Sequence, residues 1–178
     1  MPKGNTKKDS DKEVTSESDP FLLFKHYCKQ CEAVGIGTND AIKKALCHNE
    51  SPTYQSQLLL GPAGADSPTI GDGGCRALVS AILGECEHHG PHDTTNPSGN
   101  SEYKYTAFED IRIWRSKIGD NGAAALSRLL RRCNGMDFKV WYLELSDNQI
   151  RQSGALSLGR SLCSGVSSEF HLLFLLFV

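Results

Sequence analysis

Cysteine and histidine residues near the start of the chain have the types that bind zinc. Cys28-x-x-Cys31 is followed by Cys47 in the next predicted helix. Thiolates and imidazoles at such spacing can complete a tetrahedral zinc site. Both thiols of the pair, however, fall on the apolar stripe of a predicted helix, where free cysteine packs as a small hydrophobic residue. We therefore predict no metal and no cofactor, and keep a metal-binding regulatory or enzymatic module using Cys28, Cys31 and Cys47 as the alternative.

Other signatures of metal, nucleotide or catalytic chemistry are incomplete. Gly35-x-Gly37 lacks a third glycine and a preceding strand, and Gly61-Pro-Ala-Gly64 lacks the Lys-Ser/Thr that completes a phosphate-binding loop. A further metal-ligand group lies in a segment rich in turn-forming residues, so no ordered site is expected from Cys86, His88, His89 and His92. The sequence predicts a protein that is not an enzyme.

The composition is that of a globular domain with nearly balanced charge. The 178 residues are 39% hydrophobic and 22% charged, and the formal net charge is -2. A chain of this length can bury a sizeable core, but it has no broad positive field to hold a nucleic-acid backbone. Its longest apolar run, 172–178, is far shorter than the about 20 residues of a membrane helix. We predict neither a nucleic-acid nor a membrane partner.

The number of cysteines and the composition of the N-terminal segment predict the cellular location. The seven cysteines are an odd number, and residues 1–20 are charged throughout, without the apolar segment of a secretory signal. We therefore expect an intracellular, cytoplasmic location. Residues 1–19 contain one large aliphatic residue, Val14, and are predicted to be a disordered charged tail because they cannot offset the entropy of ordering.

The apolar periodicity of residues 20–50 predicts a helical N-terminal cap of two amphipathic helices. The first runs from Phe21 to Ala33, after the capping residue Asp19 and with Pro20 at the first helical position. The second begins after Thr38 or Asn39 and ends near Asn49, before Ser51-Pro52.

Three later segments align without gaps and form an internal repeat. Each begins with Ile and has Gly four residues later, Leu eight later and an aliphatic residue twelve later; they start at Ile70, Ile118 and Ile150. Steps of four residues place one apolar ridge along a helix. Gly74, Gly122 and Gly154 stand at the starts of the three helices. We expect glycine at these positions because a side chain would obstruct close stacking of the helices.

A second pattern precedes the last two of these helices and predicts parallel strands. It reads Phe108-x-x-Ile111-x-Ile113-x-x-Ser116 and Val140-x-x-Leu143-x-Leu145-x-x-Asn148, which matches the template L-x-x-L-x-L-x-x-N. The alternating aliphatic residues send one face of each strand inward. Asn148 is expected inside the following turn, where its amide satisfies unpaired backbone groups, with Ser116 as a shorter substitute.

Together, the strand template and the Ile-Gly-Asp-x-Gly helices resemble the ribonuclease-inhibitor-type leucine-rich repeat proteins. The resemblance covers about residues 54–178 and implies an α/β fold, an open leucine-rich repeat solenoid with parallel strands on the concave face and helices outside. We expect an irregular first repeat, a loop insertion over 85–105, and an incomplete last repeat beginning Phe170-x-x-Leu173-x-Leu175, which we interpret as a truncation. Most members of the family bind other proteins, which says little about a particular ligand.

The outward positions of the two regular strands form the predicted partner-binding surface. In register, strands about 4.8 Å apart set Arg112 beside Glu144 and Arg115 beside Asp147, while Trp114 and Tyr142 offer the aromatic area typical of binding hot spots. The alternative is that these charges merely neutralise one another on an exposed sheet. The full surface comprises Asp110, Arg112, Trp114, Arg115, Tyr142, Glu144, Ser146 and Asp147.

The sequence therefore predicts a non-enzymatic protein–protein interaction scaffold or adaptor whose partner is another protein. Both faces of the segment 170–178 are apolar, so self-association through an edge strand is a further expectation. A truncated isoform without activity of its own is the remaining alternative.

Overall fold

After two N-terminal helices, the chain alternates short parallel strands with helices. The computed structural model describes residues 19–47, 56–62, 68–85, 103–133, 140, 142–163 and 171–173. The helices are α1 (Pro20–Val34), α2 (Asp40–Cys47), α3 (Gly71–Leu83), α4 (Asp120–Cys133) and α5 (Gln152–Cys163), and the strands are β1 (Gln57–Leu60), β2 (Asp110–Ile113), β3 (Tyr142–Glu144) and β4 (His171–Leu173). Three predicted features lie outside the described residues: the charged tail except Asp19, most of the loop insertion over 85–105, and the group Cys86, His88, His89 and His92.

The helices α1 and α2 lie where the sequence predicts two N-terminal helices. Asp19 caps α1 by accepting a hydrogen bond from the Phe21 amide at 2.9 Å. Asn39 accepts one from the Ala41 amide at 2.8 Å at the start of α2. The helix α1 packs against α3 and contributes fully buried side chains such as Tyr27 to the core. The N-terminal pair thus belongs to the same packed body as the repeated segments.

The four strands form one parallel sheet in the order β1-β2-β3-β4. Ile111 pairs with Leu143, and both are buried together with Ile113 and Leu145. A helix lies between each strand and the next along the chain, as a parallel connection requires. These observations confirm the strand pairing and the inward faces predicted from the repeated template.

The strand β4 pairs with β3 one residue away from the predicted register. The repeat spacing placed Leu173 opposite Leu143, whereas the structure pairs Leu143 with Leu172 and Glu144 with Leu173. A shift of one residue exchanges the two faces of a strand. The sequence did not specify the register because apolar residues occupy both faces of this segment. Residues 174–178 lie outside the described part of the chain, so self-association through 170–178 stays a prediction.

The predicted open leucine-rich repeat solenoid is wrong. The described residues form a mixed α/β domain with five helices and a small parallel sheet that is not closed. A solenoid stacks similar units that contact only their neighbours. Here Ile70, Ile118 and Ile150 are 48 and 32 residues apart, and α1 and α2 share one buried cluster with the strands and the later helices. The repeated pattern therefore specifies local strand and helix units rather than a solenoid.

A carboxylate on each of α3 and α4 caps the following helix. Asp72 Oδ1 accepts hydrogen bonds from two backbone amides at the start of α4, including that of Gly122 at 2.9 Å. Asp120 Oδ1 accepts from the amides of Arg151 at 2.8 Å and Gly154 at 2.9 Å at the start of α5. The amides of a first helical turn have no partner within their own helix, and a negative charge there is favoured by the helix dipole. These carboxylates thus join the three helices in series.

Gly122 and Gly154 leave the space that the capping carboxylates occupy. A Cβ atom at Gly122 would lie 2.8 Å from Asp72 Oδ1, and one at Gly154 would lie 2.6 Å from Asp120 Oδ1. The structure therefore confirms that a side chain here would obstruct helix stacking. Both aspartates stand in the repeated Ile-Gly-Asp-x-Gly pattern, but that a carboxylate fills this space was not predicted.

Candidate partner-binding surface

The outward face of β2 and β3 brings together the side chains predicted to bind a partner. The parallel register sets Asp110 beside Tyr142 and Arg112 beside Glu144. The residues between them, Ile111 among them, are buried on the opposite face. The outward positions of these strands are half-buried, so their side chains are partly available to a partner. The predicted juxtaposition of Arg112 and Glu144 is thus confirmed in register.

Arg112 forms its ion pair within its own strand rather than across to Glu144. Its Nε donates to Asp110 Oδ1 at 2.9 Å and its Nη2 to Asp110 Oδ2 at 2.8 Å. These hydrogen bonds to Asp110 raise the pKa of Arg112. The guanidinium also lies 4.5 Å from the ring centroid of Tyr142, within the range of a cation–π interaction. The three side chains form a fixed cluster, the Tyr142–Arg112–Asp110 stack.

Glu144 forms no ion pair within 4 Å among the described residues. Its Oε1 accepts a hydrogen bond from Ser146 Oγ at 2.8 Å. The ion pairs among the described residues are Arg112–Asp110, Arg115–Asp147 and Arg128–Glu85. None of them includes Glu144. Because Arg112 makes its hydrogen bonds to Asp110, no described cation bonds to the second carboxylate oxygen of Glu144.

Trp114 lies at the end of β2 and packs over the backbone of β1. A Cβ atom at Gly61 would lie 2.2 to 2.5 Å from three atoms of the indole ring, so only glycine leaves room for this ring position. The Trp114 amide also donates to the Leu60 carbonyl at 2.9 Å. No local sequence pattern marks this contact between Gly61 and the indole. The glycine fixes the tryptophan, which remains half-buried.

Leu59 is an exposed aliphatic residue on the same face that the sequence analysis did not select. It pairs in register with Arg112, and 41% of its surface is exposed, whereas Leu58 and Leu60 on either side are buried. The repeat template predicts Leu58 and Leu60 as the inward pair of the irregular first repeat, and their burial confirms it. Leu59 adds an apolar contact to the surface at β1.

Arg115 and Asp147 occupy equivalent positions in the turns after β2 and β3. Both have positive φ values, 47° and 53°, a region that residues other than glycine seldom adopt. Arg115 Nε donates to Asp147 Oδ2 at 3.0 Å, with side chains that are 69% and 42% exposed. This is the predicted opposite-sign pair, and its exposure limits its stabilisation to about 1 kcal/mol or less.

Asn148 satisfies backbone groups in two adjacent turns, as predicted. Its Oδ1 accepts from the amides of Ser116 at 3.0 Å and Ile118 at 3.1 Å. Its Nδ2 donates to the carbonyls of Ile113 at 2.7 Å and Ser146 at 3.3 Å. The side chain therefore ties the turn after β3 to the turn after β2, which fixes the two strand ends relative to each other.

The cysteines of the metal-binding alternative lie on α1 and α2. Burial raises the pKa of Cys31, and it also raises the pKa values of Cys28 and Cys47, against the opposing charge of Lys43. Thiols with raised pKa values stay protonated near neutral pH, whereas metals bind the thiolate. Within the described ranges, no group of three or more His, Cys, Asp or Glu side chains could hold a metal ion.

A cavity of about 350 Å³ lies between the α1–α2 loop and the start of α3. Its polar groups bond to one another: the Asn39 amide donates to the Tyr27 hydroxyl at 3.2 Å, and Asn39 Nδ2 donates to the Pro68 carbonyl at 3.0 Å. These bonds hold the loop against α3. They give the cavity a structural explanation and leave the outward sheet face as the stronger candidate site.

No protein family and no curated protein matches the chain. Among the helices that the structure describes, none combines the length and the apolar character needed to cross a bilayer.

Proposed function

We propose that this protein is a non-enzymatic interaction scaffold or adaptor that binds another protein through the outward face of β1, β2 and β3. The observation that carries the proposal is the fixed Tyr142–Arg112–Asp110 stack, which lies between exposed Leu59 and the Glu144 carboxylate. Tyrosine, tryptophan and arginine are the residues most enriched at binding hot spots.

The rigidity of this surface supports binding rather than simple solvation. Arg112 is held by two side chains and Trp114 is seated on Gly61. Ordering a long side chain at an interface costs about 0.5–1.5 kcal/mol, and side chains already fixed in the free protein avoid most of that cost. The alternative in which the charges only neutralise one another accounts for Arg115–Asp147, but it does not account for exposed Leu59.

Site-specific photocrosslinking tests the proposal. One variant carries a photoreactive amino acid in place of Leu59, and the matched control carries it in place of Ala124, an exposed position on α4. We expect a small set of crosslinked proteins from cell extract at position 59, suppressed by an excess of unlabelled wild-type protein and by Trp114→Ala in the labelled chain. Identical products from both positions, or products insensitive to competition, would contradict binding through the sheet face.

A further inference from the structure

The sheet face carries more negative than positive charge, and its cations already have partners. The predicted surface contains two arginines and three carboxylates. The arginines are Arg112 and Arg115, and the carboxylates belong to Asp110, Glu144 and Asp147. The arginines form ion pairs with Asp110 and Asp147. Glu144 has no ion pair within 4 Å among the described side chains, and its charge acts on Arg112 only at longer range. Complementarity of charge across an interface steers association and selects the partner.

We propose that the partner segment is a helix that carries a basic side chain against Glu144 and an aliphatic side chain against Leu59. This rests on the proposed function, since it names the chemistry of the ligand for the same face. The Glu144 carboxylate accepts the basic group through the oxygen that Ser146 leaves free, and charge-assisted hydrogen bonds of this kind are about twice as strong as neutral ones.

The spacing of the two anchors fits a helix. Leu59, Arg112 and Glu144 occupy one row across β1, β2 and β3. Neighbouring strands are about 4.8 Å apart, so the backbones at Leu59 and Glu144 are separated by about 10 Å. Residues i and i+7 of a helix are about 10.5 Å apart and lie on the same side of it. An aliphatic residue and a Lys or Arg two turns apart therefore match the row.

Two synthetic helical peptides of about 18 residues, long enough to be partly helical in water, provide the probe. The first has leucine at position i and arginine at position i+7 in an alanine–glutamine background, and the second has glutamate in place of the arginine. Binding is followed by NMR, through the Trp114 indole N–H signal and the backbone amide of Glu144. We expect the arginine peptide to bind at least about fivefold more tightly, with a preference that shrinks as salt is raised.

Charge reversal at the site separates the inference from general stickiness. Glu144→Arg should invert the preference between the two peptides, and Glu144→Gln should reduce it about fivefold. The matched control is Glu32→Gln, at an exposed position of α1, which should leave the preference unchanged. Amide spectra of each variant confirm that the fold is retained.

The outcomes distinguish the ligand chemistry from the binding surface. An unchanged preference in Glu144→Arg, or a wild-type protein that shifts equally with both peptides or with neither, overturns the basic-helix inference. If photocrosslinking at position 59 still succeeds in that case, the sheet face binds a partner of different chemistry and the proposed function stands. If crosslinking fails while the peptide preference follows Glu144, the chemistry of the site is right and the cellular scaffold role is wrong.

Discussion

Replacing Gly154 with alanine tests whether α5 is held against α4 by the Asp120 carboxylate. The new Cβ atom would lie 2.6 Å from Asp120 Oδ1, 2.9 Å from Ile150 Cγ2 and 3.0 Å from Ala123 Cβ. Close-packed interiors do not accommodate an added carbon at such distances without displacement. Either Asp120 must leave its position at the start of α5, or the two helices must move apart.

The magnitude follows from the competing terms. Overpacking a tight contact costs about 1–3 kcal/mol. If Asp120 moves instead, its two backbone hydrogen bonds at the start of α5 are lost. These two costs are alternatives, because moving the carboxylate relieves the contact. Alanine also gains up to about 1 kcal/mol of helix propensity over glycine. We therefore expect Gly154→Ala to lower the free energy of unfolding by about 1–2 kcal/mol.

Gly159 provides the matched control within the same helix. Among the described residues, no atom beyond the adjacent backbone of α5 lies within 4 Å of the position that its Cβ would occupy. Gly159→Ala should therefore gain helix propensity without a clash and stabilise the protein by up to about 1 kcal/mol. Urea denaturation followed by circular dichroism measures both variants. Equal stabilisation by Gly154→Ala and Gly159→Ala would show that the close approach of Asp120 and Gly154 is not part of the folded structure.

Three further perturbations probe the turn, the capping carboxylate and a buried thiol. Asn148→Ala should lower the free energy of unfolding by about 2–4 kcal/mol because several backbone groups lose their partner, while Gln149→Ala, an exposed neighbour, should change it by less than about 0.5 kcal/mol. Hydrogen bonds from Ser153 and from backbone amides hold the pKa of Asp120 below its ordinary value of 3.8. The contribution of this carboxylate to stability is therefore present above the ordinary value and is lost as the pH falls through the folded-state pKa. In urea titrations from acid to neutral pH, the difference in unfolding free energy between wild type and Asp120→Asn should shrink in acid. Burial raises the pKa of Cys75 to about 12, so iodoacetamide followed by peptide mass spectrometry should modify this thiol only after unfolding.

The repeated apolar pattern was enough to predict local structure. Ile111 and Leu143 were expected to point inward from neighbouring strands, and they pair and are buried. This succeeds because burial on one face of a strand imposes a period of two that any solution must respect. The same pattern did not determine the global architecture, because the spacing between units and the packing of α1 on α3 are not encoded in it.

The contacts within the candidate surface were only partly predictable, because each side chain has several possible partners of similar interaction energy. The register placed Glu144 beside Arg112, but Asp110 lies on the same face of the same strand and forms the ion pair instead. Leu59 was not predicted as part of the surface, although the inward assignment of Leu58 and Leu60 left it facing outward. The contact of Trp114 with Gly61 joins residues far apart in sequence, and no local pattern marks it.

Asn148 and Asp120 together explain how the unit containing β2 holds the unit containing β3. Asn148 joins their turns at the strand side, through the amides of Ser116 and Ile118. Asp120 joins their helices, through the amide of Gly154 at the start of α5. Because the two connections lie on different elements of each unit, they resist rotation as well as separation. The positions of Tyr142 and Glu144 relative to Arg112 are therefore set before any partner arrives, which is the condition under which a small exposed surface binds with little entropic cost.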